Sequence, residues 1–284
     1  MIFFLFPVLY FGVNGILNYF IYSNYKTNIK TNILILGDSH TKSSINPKLY
    51  FNSLNISQSA EPYVLTYWKL KNILNDSNID TAIIGFAPHN ISAFNDLKFS
   101  DRTWSLEIFK RIYPIQEFKL LKNIEIDYPS FYKVIWKQTC FYPKLNHGNY
   151  IGNYSNTNNS SIVNVETPIK RHYYYNGEEI GISNIAVSYL DSIIKICKTH
   201  GVKPILISSP VHETYYNKIP FINTSTFEDV KLKLISKGVM VIDKTKEHYP
   251  DSLFSNVDHL NENGANRFTK EIKEILTART LESR

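Results

Sequence analysis

A serine and a histidine near opposite ends of the soluble part of this 284-residue chain are the residues best suited to covalent chemistry. Ser39 ends the sequence GDS directly after an apolar run, and His259 lies in the sequence DHLN ahead of a helix-like segment. A serine hydroxyl is a weak nucleophile that needs a base to take its proton, and an imidazole can be that base. Ser39 is therefore a candidate nucleophile, and His259 is a candidate for the base that accepts its proton.

The sequence leaves open which group would orient the imidazole of His259. Asp258 is adjacent, but neighbouring side chains of an extended segment point to opposite faces, so it reaches the ring only if the backbone turns sharply. Asn256 lies three residues before the histidine, and its amide oxygen can accept the Nδ1–H without supplying a charge. The alternatives are a triad with Asp258, a dyad assisted by Asn256 and an inactive site.

The elements that must position these residues alternate between strand and helix. Strands are predicted at 33–37, 53–57, 81–86, 204–208 and 239–242, and helices at 62–74, 182–200, 227–236 and 262–277. This alternation predicts an α/β fold, a doubly wound parallel sheet of about five strands with helices on both faces. Ser39 would then lie at the carboxyl edge of the sheet, where open α/β sheets bind ligands, and the loop of His259 can reach the same edge.

The sequences GDS and DHLNENGA resemble the first and last blocks of the SGNH/GDSL hydrolase superfamily, in the branch of cell-envelope acyltransferases and alginate-acetyltransferase-like domains. The resemblance implies that Ser39 is the nucleophile and His259 the base, with an acid at the position that Asn256 occupies here. It also implies oxyanion donors after the second and third strands. At those places this chain has Ser57, in a loop without glycine, and Asn90, displaced from the usual sequence GxND.

His212 and Asp38 are expected to have roles near this site, whereas Cys140 and Cys197 are not. His212 follows the fourth strand on the same edge and is a candidate for substrate contact, while Asp38 is expected to shape the turn by accepting backbone hydrogen bonds. Cys140 and Cys197 form no local motif, and Cys197 is expected to be a buried thiol on a helix. The sequence shows no histidine and cysteine cluster with metal-ligand spacing, so no metal and no cofactor are predicted.

The chain is predicted to have three parts. Residues 1–22 contain a charge-free run that predicts a transmembrane anchor or signal-like segment, with a linker over 23–31. An SGNH-like domain is expected over 32–284. From about 90 to 181 the strand–helix alternation stops and aromatic residues cluster, which predicts an insertion over the active site with a loose polar tip at 153–161.

Composition limits the classes of partner. Hydrophobic residues make up 43% and charged residues 20%, and the net charge of +6 is scattered without a Lys/Arg run, so no nucleic acid partner is predicted. Lys26 and Lys30 follow the apolar run, which by the positive-inside rule favours a cytoplasmic domain. The resemblance instead implies a membrane-anchored protein with a periplasmic or extracytoplasmic catalytic domain, and this is our expectation.

The predicted function is an ester hydrolase or O-acyltransferase that acts on an acylated envelope glycan or a small ester through an acyl-enzyme on Ser39. The sequence does not separate the two, because the acceptor is either water or a sugar hydroxyl. One alternative is a non-catalytic glycan-binding or assembly protein on the same fold. Another is a cytoplasm-facing membrane esterase with a small lipid substrate.

Overall fold

The computed structural model describes residues 2–23, 29–50, 52–112, 121, 123–141, 151–159 and 162–282. The chain forms two compact units, one of residues 1–29 and 96–151 and the other of residues 30–95 and 152–284. The predicted insertion over 90–181 is therefore divided, because its last thirty or so residues pack within the unit that contains the sheet. The predicted linker over 23–31 lies largely outside the described residues.

The described residues include nine strands and eleven α-helices, which are numbered in chain order. The strands are β1 Ile33–Leu36, β2 Ser53–Asn55, β3 Thr81–Gly85, β4 Tyr174–Tyr175, β5 Glu178–Glu179, β6 Lys203–Ser208, β7 Met240–Asp243, β8 Phe254–Asn256 and β9 His259–Leu260. The helices are α1 Ile2–Ser23, α2 Ser39–Ser44, α3 Tyr63–Leu74, α4 Phe94–Ser100, α5 Arg102–Ile112, α6 Tyr128–Cys140, α7 Glu166–Tyr173, α8 Asn184–Thr199, α9 Glu213–Tyr216, α10 Phe221–Ser236 and α11 Glu262–Glu282.

The larger unit is built on a parallel sheet with the strand order β2-β1-β3-β6-β7. Successive side chains of a strand point to opposite faces, and in β1 Leu34, Ile35 and Leu36 are all fully buried. Both faces of the sheet are therefore covered. On one face, Ile35 belongs to a core cluster with Phe268 and Ile272 of α11. The predicted α/β fold with about five parallel strands is confirmed.

Two helix boundaries differ from the predicted ones. The helix predicted at 227–236 begins at Phe221, and the helix predicted to end at 277 continues to Glu282. Phe221 is 84% exposed and Ile222 is 46% exposed, so the first turn of α10 has no buried apolar face. Apolar periodicity, the signal used for the prediction, is therefore missing from this turn.

The smaller unit consists largely of helices, and its α1 is formed by the charge-free run near the start of the chain. Asn18 Nδ2 on α1 donates hydrogen bonds to the backbone oxygens of Thr139 at 3.0 Å and Phe141 at 2.9 Å. The ring of Phe11 lies 5.1 Å from that of Trp136 on α6. In the described part of the chain, no helix has both the length and the apolar character needed to cross a membrane. The predicted transmembrane helix is thus not supported.

The polar run predicted as a loose tip is held by hydrogen bonds to the sheet-containing unit. The backbone N–H of Asn153 donates to Ser57 O at 3.2 Å, and that of Ser155 donates to Lys42 O at 3.4 Å. The prediction of a loose tip is wrong for the described residues 153–159, while Ser160 and Ser161 lie outside the described residues. The amino-acid composition of this run did not indicate these hydrogen bonds. They are made largely by backbone groups, which every residue has.

Candidate active site

Ser39 is the first residue of α2 and follows β1 after a two-residue turn. Asp38 caps the helix, because its Oδ1 accepts the backbone N–H of His40 at 3.0 Å. The predicted role of Asp38 in shaping the turn is confirmed. Ser39 itself is half-buried, so its hydroxyl is presented at the carboxyl edge of the sheet.

Two glycines make room for α2 above the sheet. Gly37 has φ of 151°, which is open to glycine but not to other residues. A Cβ atom at Gly37 would come within 2.9 Å of Thr41 Cβ, and one at Gly85 would overlap Thr41 Oγ1. The side chain of Thr41 thus fits beside the ends of β1 and β3 only because a glycine follows β1 and another ends β3.

The position of Ser39 in the sheet is the one where α/β folds bind ligands. The chain passes from β1 to β2 on one side of β1, and β3 lies on the other side. The loops after β1 and β3 therefore diverge and leave a crevice at this topological switch point. Ser39 stands on the first of these loops.

His259 lies on a short hairpin that packs against α2. The hairpin consists of β8 and β9, with a sharp turn at Val257 and Asp258. His259 Nδ1 is 3.1 Å from Asn256 Oδ1, to which it is hydrogen bonded, and 3.1 Å from Asp258 Oδ1. The turn brings both predicted orienting residues to the same ring nitrogen, so the triad and the assisted dyad are not mutually exclusive.

Asn256 also shapes the turn itself. Its Oδ1 accepts the backbone N–H of Asp258 at 3.1 Å and that of His259 at 2.9 Å. An oxygen shared among three donors contributes a weaker bond to each than a dedicated acceptor would. The ionic partner of the ring is therefore Asp258.

Asp258 is almost completely buried among basic groups. Its Oδ2 lies 3.4 Å from Arg171 Nη2 and 3.5 Å from His40 Nε2. Burial raises the pKa of the Asp258 carboxyl, but the charge and hydrogen bond of His259, together with the nearby ring of His40, outweigh burial and hold this pKa well below its usual range. Asp258 is consequently ionised at neutral pH and can stabilise an imidazolium at His259.

Ser39 and His259 lie close to each other, but no hydrogen bond joins their side chains in the described structure. The ring of His40, the residue after Ser39, is 4.5 Å from the ring of His259. The hydrogen bonds found among the described residues do not include one between Ser39 Oγ and His259 Nε2. Catalytic hydrogen bonds are often long in ligand-free structures and shorten when substrate binds.

The two residues predicted to stabilise an oxyanion differ in their surroundings. The backbone N–H of Ser57 is already bound to Asn55 Oδ1 at 3.0 Å, although within the described part of the chain its buried hydroxyl has no hydrogen-bond partner. Asn90 lies beside the Ser39 turn, where its Nδ2 donates to Asp38 Oδ2 at 2.9 Å and its Oδ1 accepts the backbone N–H of Ala87. The oxyanion role of either residue stays a prediction.

His212 follows β6 at the same edge of the sheet. Its Nδ1 is 2.8 Å from Thr214 Oγ1, and its Nε2 is 3.2 Å from Asp251 Oδ1. It lines a cavity of about 540 Å³ together with Tyr216 and Lys246. Its backbone N–H donates to Val257 O in the turn before His259, so it supports the hairpin, and substrate contact stays a prediction.

Three buried histidines that sequence reasoning missed adjoin this site, and we call His40, His89 and His172 the histidine cluster. Their ring centroids are 3.9 Å (His40–His89), 5.1 Å (His89–His172) and 6.0 Å (His40–His172) apart. Burial lowers the pKa of His40, as does the charge of His89, and burial lowers that of His172 well below its usual range. The sequence contains only weak signals for this cluster. His40 directly follows Ser39 and His89 follows β3, and these two positions alone indicate that histidines gather at the carboxyl edge of the sheet.

One ring nitrogen of each histidine in the cluster lies within 4.8 Å of those of the other two. A second set with this property consists of His40, Asp258 and His259. These are the described residues at the site that could hold a metal ion.

The two cysteines are free. Cys197 is buried on α8, as predicted, and burial raises the pKa of its thiol to about 12.

Comparisons with known proteins agree with the sequence resemblance. The family model of the DltD protein matches residues 188–277, about a third of the chain, including His259. A comparison with curated protein sequences gives no significant match. The match of residues 188–277 to the DltD protein agrees with the predicted resemblance to an SGNH/GDSL hydrolase-like fold.

Similar solved structures include two described as lipases. One is a GDSL-like lipase from Bacteroides thetaiotaomicron, with 8% identity, a TM-score of 0.43, and coverage of 87% of this chain and 88% of that one. The other is a lipase/acylhydrolase from Enterococcus faecalis, with 14% identity, a TM-score of 0.42, and coverage of 88% of this chain and 97% of that one.

Proposed function

We propose that this protein is a serine-dependent acyl ester hydrolase or O-acyltransferase that acts on an acylated glycan or a small ester. The observation that supports the proposal is the arrangement at His259. Its Nδ1 is held by Asn256 Oδ1 and lies beside the ionised Asp258, while its hairpin packs against the helix that begins with Ser39. With Nδ1 protonated, Nε2 carries the lone pair that a general base needs.

The reaction follows from these roles. Ser39 Oγ attacks the acyl carbonyl carbon and passes its proton to His259 Nε2, and the imidazolium then protonates the leaving alcohol. The resulting acyl-enzyme on Ser39 is attacked by water or by a second hydroxyl, which His259 deprotonates in turn, and release of the acyl group restores Ser39. Asp258 stays ionised throughout and stabilises the imidazolium.

The developing oxyanion needs hydrogen-bond donors. We propose the backbone N–H of Ser39 and the amide of Asn90 for this role. Asn90 Nδ2 has two hydrogens, of which the bond to Asp38 uses one. The DltD family is associated with D-alanyl transfer, which is the transfer of an acyl group, and we propose a sugar hydroxyl as an acceptor besides water. The extracytoplasmic location and the membrane association stay predictions.

The proposal is tested by reacting the full-length protein with a fluorophosphonate probe and mapping the label by mass spectrometry. We expect labelling at Ser39 and none in Ser39→Ala. Ser43→Ala is the matched control, because Ser43 lies on the same helix with its hydroxyl bonded to Ser39 O at 2.9 Å, and this variant should label normally. Labelling that persists in Ser39→Ala would show that the assignment is wrong.

A second candidate function is a non-catalytic glycan-binding protein on the same fold. It is favoured by the Ser57 backbone N–H, which is engaged by Asn55 Oδ1 and so is not directed at an oxyanion. This candidate predicts that the folded protein does not label with the probe but binds acylated oligosaccharides, and that binding is equal in the wild type and in Ser39→Ala.

A further inference from the structure

We infer that the histidine cluster, His40, His89 and His172, binds a divalent transition-metal ion, with Zn²⁺ as the best fit. The three residues come from separate elements of the larger unit. His40 lies on α2, His89 follows β3 in the short helical turn Pro88–Asn90, and His172 lies on α7. Their convergence at one edge of the sheet is thus a product of tertiary packing.

All three rings are within reach of one ion. The exposed fractions of His40, His89 and His172 are 5%, 5% and 6%, and one nitrogen of each lies within 4.8 Å of those of the others. Nitrogens bound to a tetrahedral Zn²⁺ at about 2.0–2.1 Å are about 3.3 Å apart. Side-chain rotations that turn the rings out of their present near-parallel arrangement would bring the three nitrogens to bonding distance.

A buried nitrogen without a partner points to a missing ligand. Among the described residues His40 Nε2 makes no hydrogen bond, although Asp258 Oδ2 is 3.5 Å away. Buried polar atoms in native proteins are nearly always hydrogen bonded, so an exception calls for a cause such as an ion or a water molecule. A metal bound at this nitrogen would supply the partner.

Hydrogen bonds on the opposite ring nitrogens prepare the other two histidines for metal binding. His89 Nε2 is 2.7 Å from Asp38 Oδ2, so the carboxylate accepts the Nε2–H and the lone pair is on Nδ1. His172 Nδ1 is 2.6 Å from the Tyr215 hydroxyl, which donates its own hydrogen toward Tyr173 Oη at 3.5 Å. Nδ1 is then the donor and Nε2 carries the lone pair. Metal-binding histidines in general have such an oxygen partner at the second nitrogen.

One hydrogen bond to His172 must break when the ion binds. Arg171 Nε donates to His172 Nε2 at 3.3 Å, which agrees with a lone pair on this atom. The Arg171 side chain is 39% exposed, so it can move into solvent when a metal takes its place. The ligand atom of His172 is therefore available.

The charges around the cluster also favour a cation. Asp38 and Asp258 are carboxylates with side chains only 6% and 2% exposed. Arg171 Nη2 lies 3.4 Å from Asp258 Oδ2, and its side chain is partly in solvent. Buried charges are costly unless they are compensated, and a divalent ion bound to the three imidazoles would add to the stabilisation that hydrogen bonds and the His259 ring already give the two carboxylates.

The chemistry of the three ligands sets the class of metal. Imidazole nitrogen suits Zn²⁺, Cu²⁺, Ni²⁺ and Fe²⁺, whereas Mg²⁺ and Ca²⁺ require oxygen ligands. Three histidines with a further position left for an exogenous ligand are a known zinc set. The rival set of His40, Asp258 and His259 would occupy the proposed catalytic base, whereas the histidine cluster leaves His259 free.

The test measures metal binding by the full-length protein and needs no catalytic activity, so its outcome is independent of the proposed esterase or transferase reaction. The protein is stripped with a chelator and dialysed against Zn²⁺, and bound metal is quantified by mass spectrometry. We expect one equivalent of Zn²⁺, an increase in Tm, and visible d–d absorption bands of a tetrahedral ion when Co²⁺ replaces Zn²⁺.

Two variants assign the binding to the cluster. His172→Ala should abolish stoichiometric binding, while His248→Ala, at an exposed histidine outside the cluster, should bind as the wild type does. Since His172→Ala removes a buried side chain and could unfold the protein, Tyr215→Phe is the second variant. It removes only the hydroxyl that orients His172 and should weaken Zn²⁺ binding by about ten- to a hundredfold. Tyr249→Phe, at a buried tyrosine bonded to Glu271, is its matched control.

Two results would overturn the inference. One is a folded wild-type protein that takes up neither Zn²⁺ nor Co²⁺, which would make the cluster a hydrogen-bonded histidine array only. The other is wild-type affinity in a folded His172→Ala variant, which would place the ion elsewhere.

Discussion

At the scale of single residues, the functions of Asn256 and Asp258 are divided. Asn256 Oδ1 accepts two backbone N–H groups as well as the Nδ1–H of His259, so it fixes the turn and the tautomer. Asp258 lies at the same nitrogen and carries the charge. A neutral amide can orient the ring, but in the proposed reaction only a carboxylate can stabilise the imidazolium by its charge.

This division predicts the effect of removing the charge without changing the shape. Asp258→Asn should lower kcat/KM for ester hydrolysis by at least about tenfold, or roughly 1.4 kcal/mol, as measured with a small acetyl ester. Tm and circular dichroism should show a folded protein. Asn256→Ala serves as the comparison, and it should lower both the rate and Tm because it also removes the acceptor of the turn. An Asp258→Asn variant with the wild-type rate would leave Asn256 as the sole orienting group.

At the scale of elements, the position of Ser39 depends on how closely α2 approaches the ends of β1 and β3. Thr41 occupies the space that Cβ atoms at Gly37 and Gly85 would fill. Because α2 has only six residues and begins with Ser39, any displacement of Thr41 also displaces Ser39, the proposed nucleophile. The glycine that ends β3 is thus as important for the site as the one in the sequence GDS.

Gly85→Ala should therefore destabilise the protein by about 1–3 kcal/mol and reduce fluorophosphonate labelling of Ser39. The free energy of unfolding in urea measures the first effect. Adding Thr41→Ala removes the overlapping Oγ1 atom and should recover part of both losses, whereas adding Thr41→Val keeps the bulk and should recover neither. Equal recovery by the two second substitutions would show that the overlap with Oγ1 is not the cause.

At the scale of the whole molecule, ion pairs between elements link stability to pH. Lys231 Nζ on α10 is 2.7 Å from Asp243 Oδ2 at the end of β7. Burial raises the pKa of Asp243, but the hydrogen bonds from Lys231 and Thr245 outweigh it and leave this pKa below its ordinary value of 3.8. A carboxyl with a lowered pKa stabilises the fold above its ordinary pKa, and the stabilisation is lost as the pH falls through the lowered value.

We expect Asp243→Asn to lower the free energy of unfolding by about 1 kcal/mol at pH 7, since the pair is partly exposed to solvent. The difference from the wild type should shrink as the pH falls below about 4, where the unfolded state takes up a proton first, and should vanish once the pH is below the lowered pKa of Asp243 in the folded state. Urea unfolding at a series of pH values measures it. The control is Asp229→Asn, at an exposed acid on the same helix, which should change stability little at any pH. A constant difference down to low pH would mean that the Asn substitution acts through packing.

Much of the architecture could be predicted from the sequence because its signals are local. The apolar runs that form β1, β3 and β6 and the helical spacing of α8 each lie within a few residues, and secondary structure responds to such short-range patterns. Ser39 and His259 could be named for the same reason, since each stands in a short recognisable sequence at the end of an element. The exposed first turn of α10 and the polar run at 153–159 were mispredicted, because one has no apolar pattern and the other is held mainly by backbone hydrogen bonds.

The sequence by itself thus determined the parallel sheet, the turn that presents Ser39, and the histidine that can serve as its base. Only the tertiary structure decided that Asn256 and Asp258 meet at one nitrogen, because that depends on the tightness of a turn. It also decided that His89 and His172 join His40. These residues are separated by dozens of positions, and no local pattern records which loops converge once the strands have been ordered in the sheet.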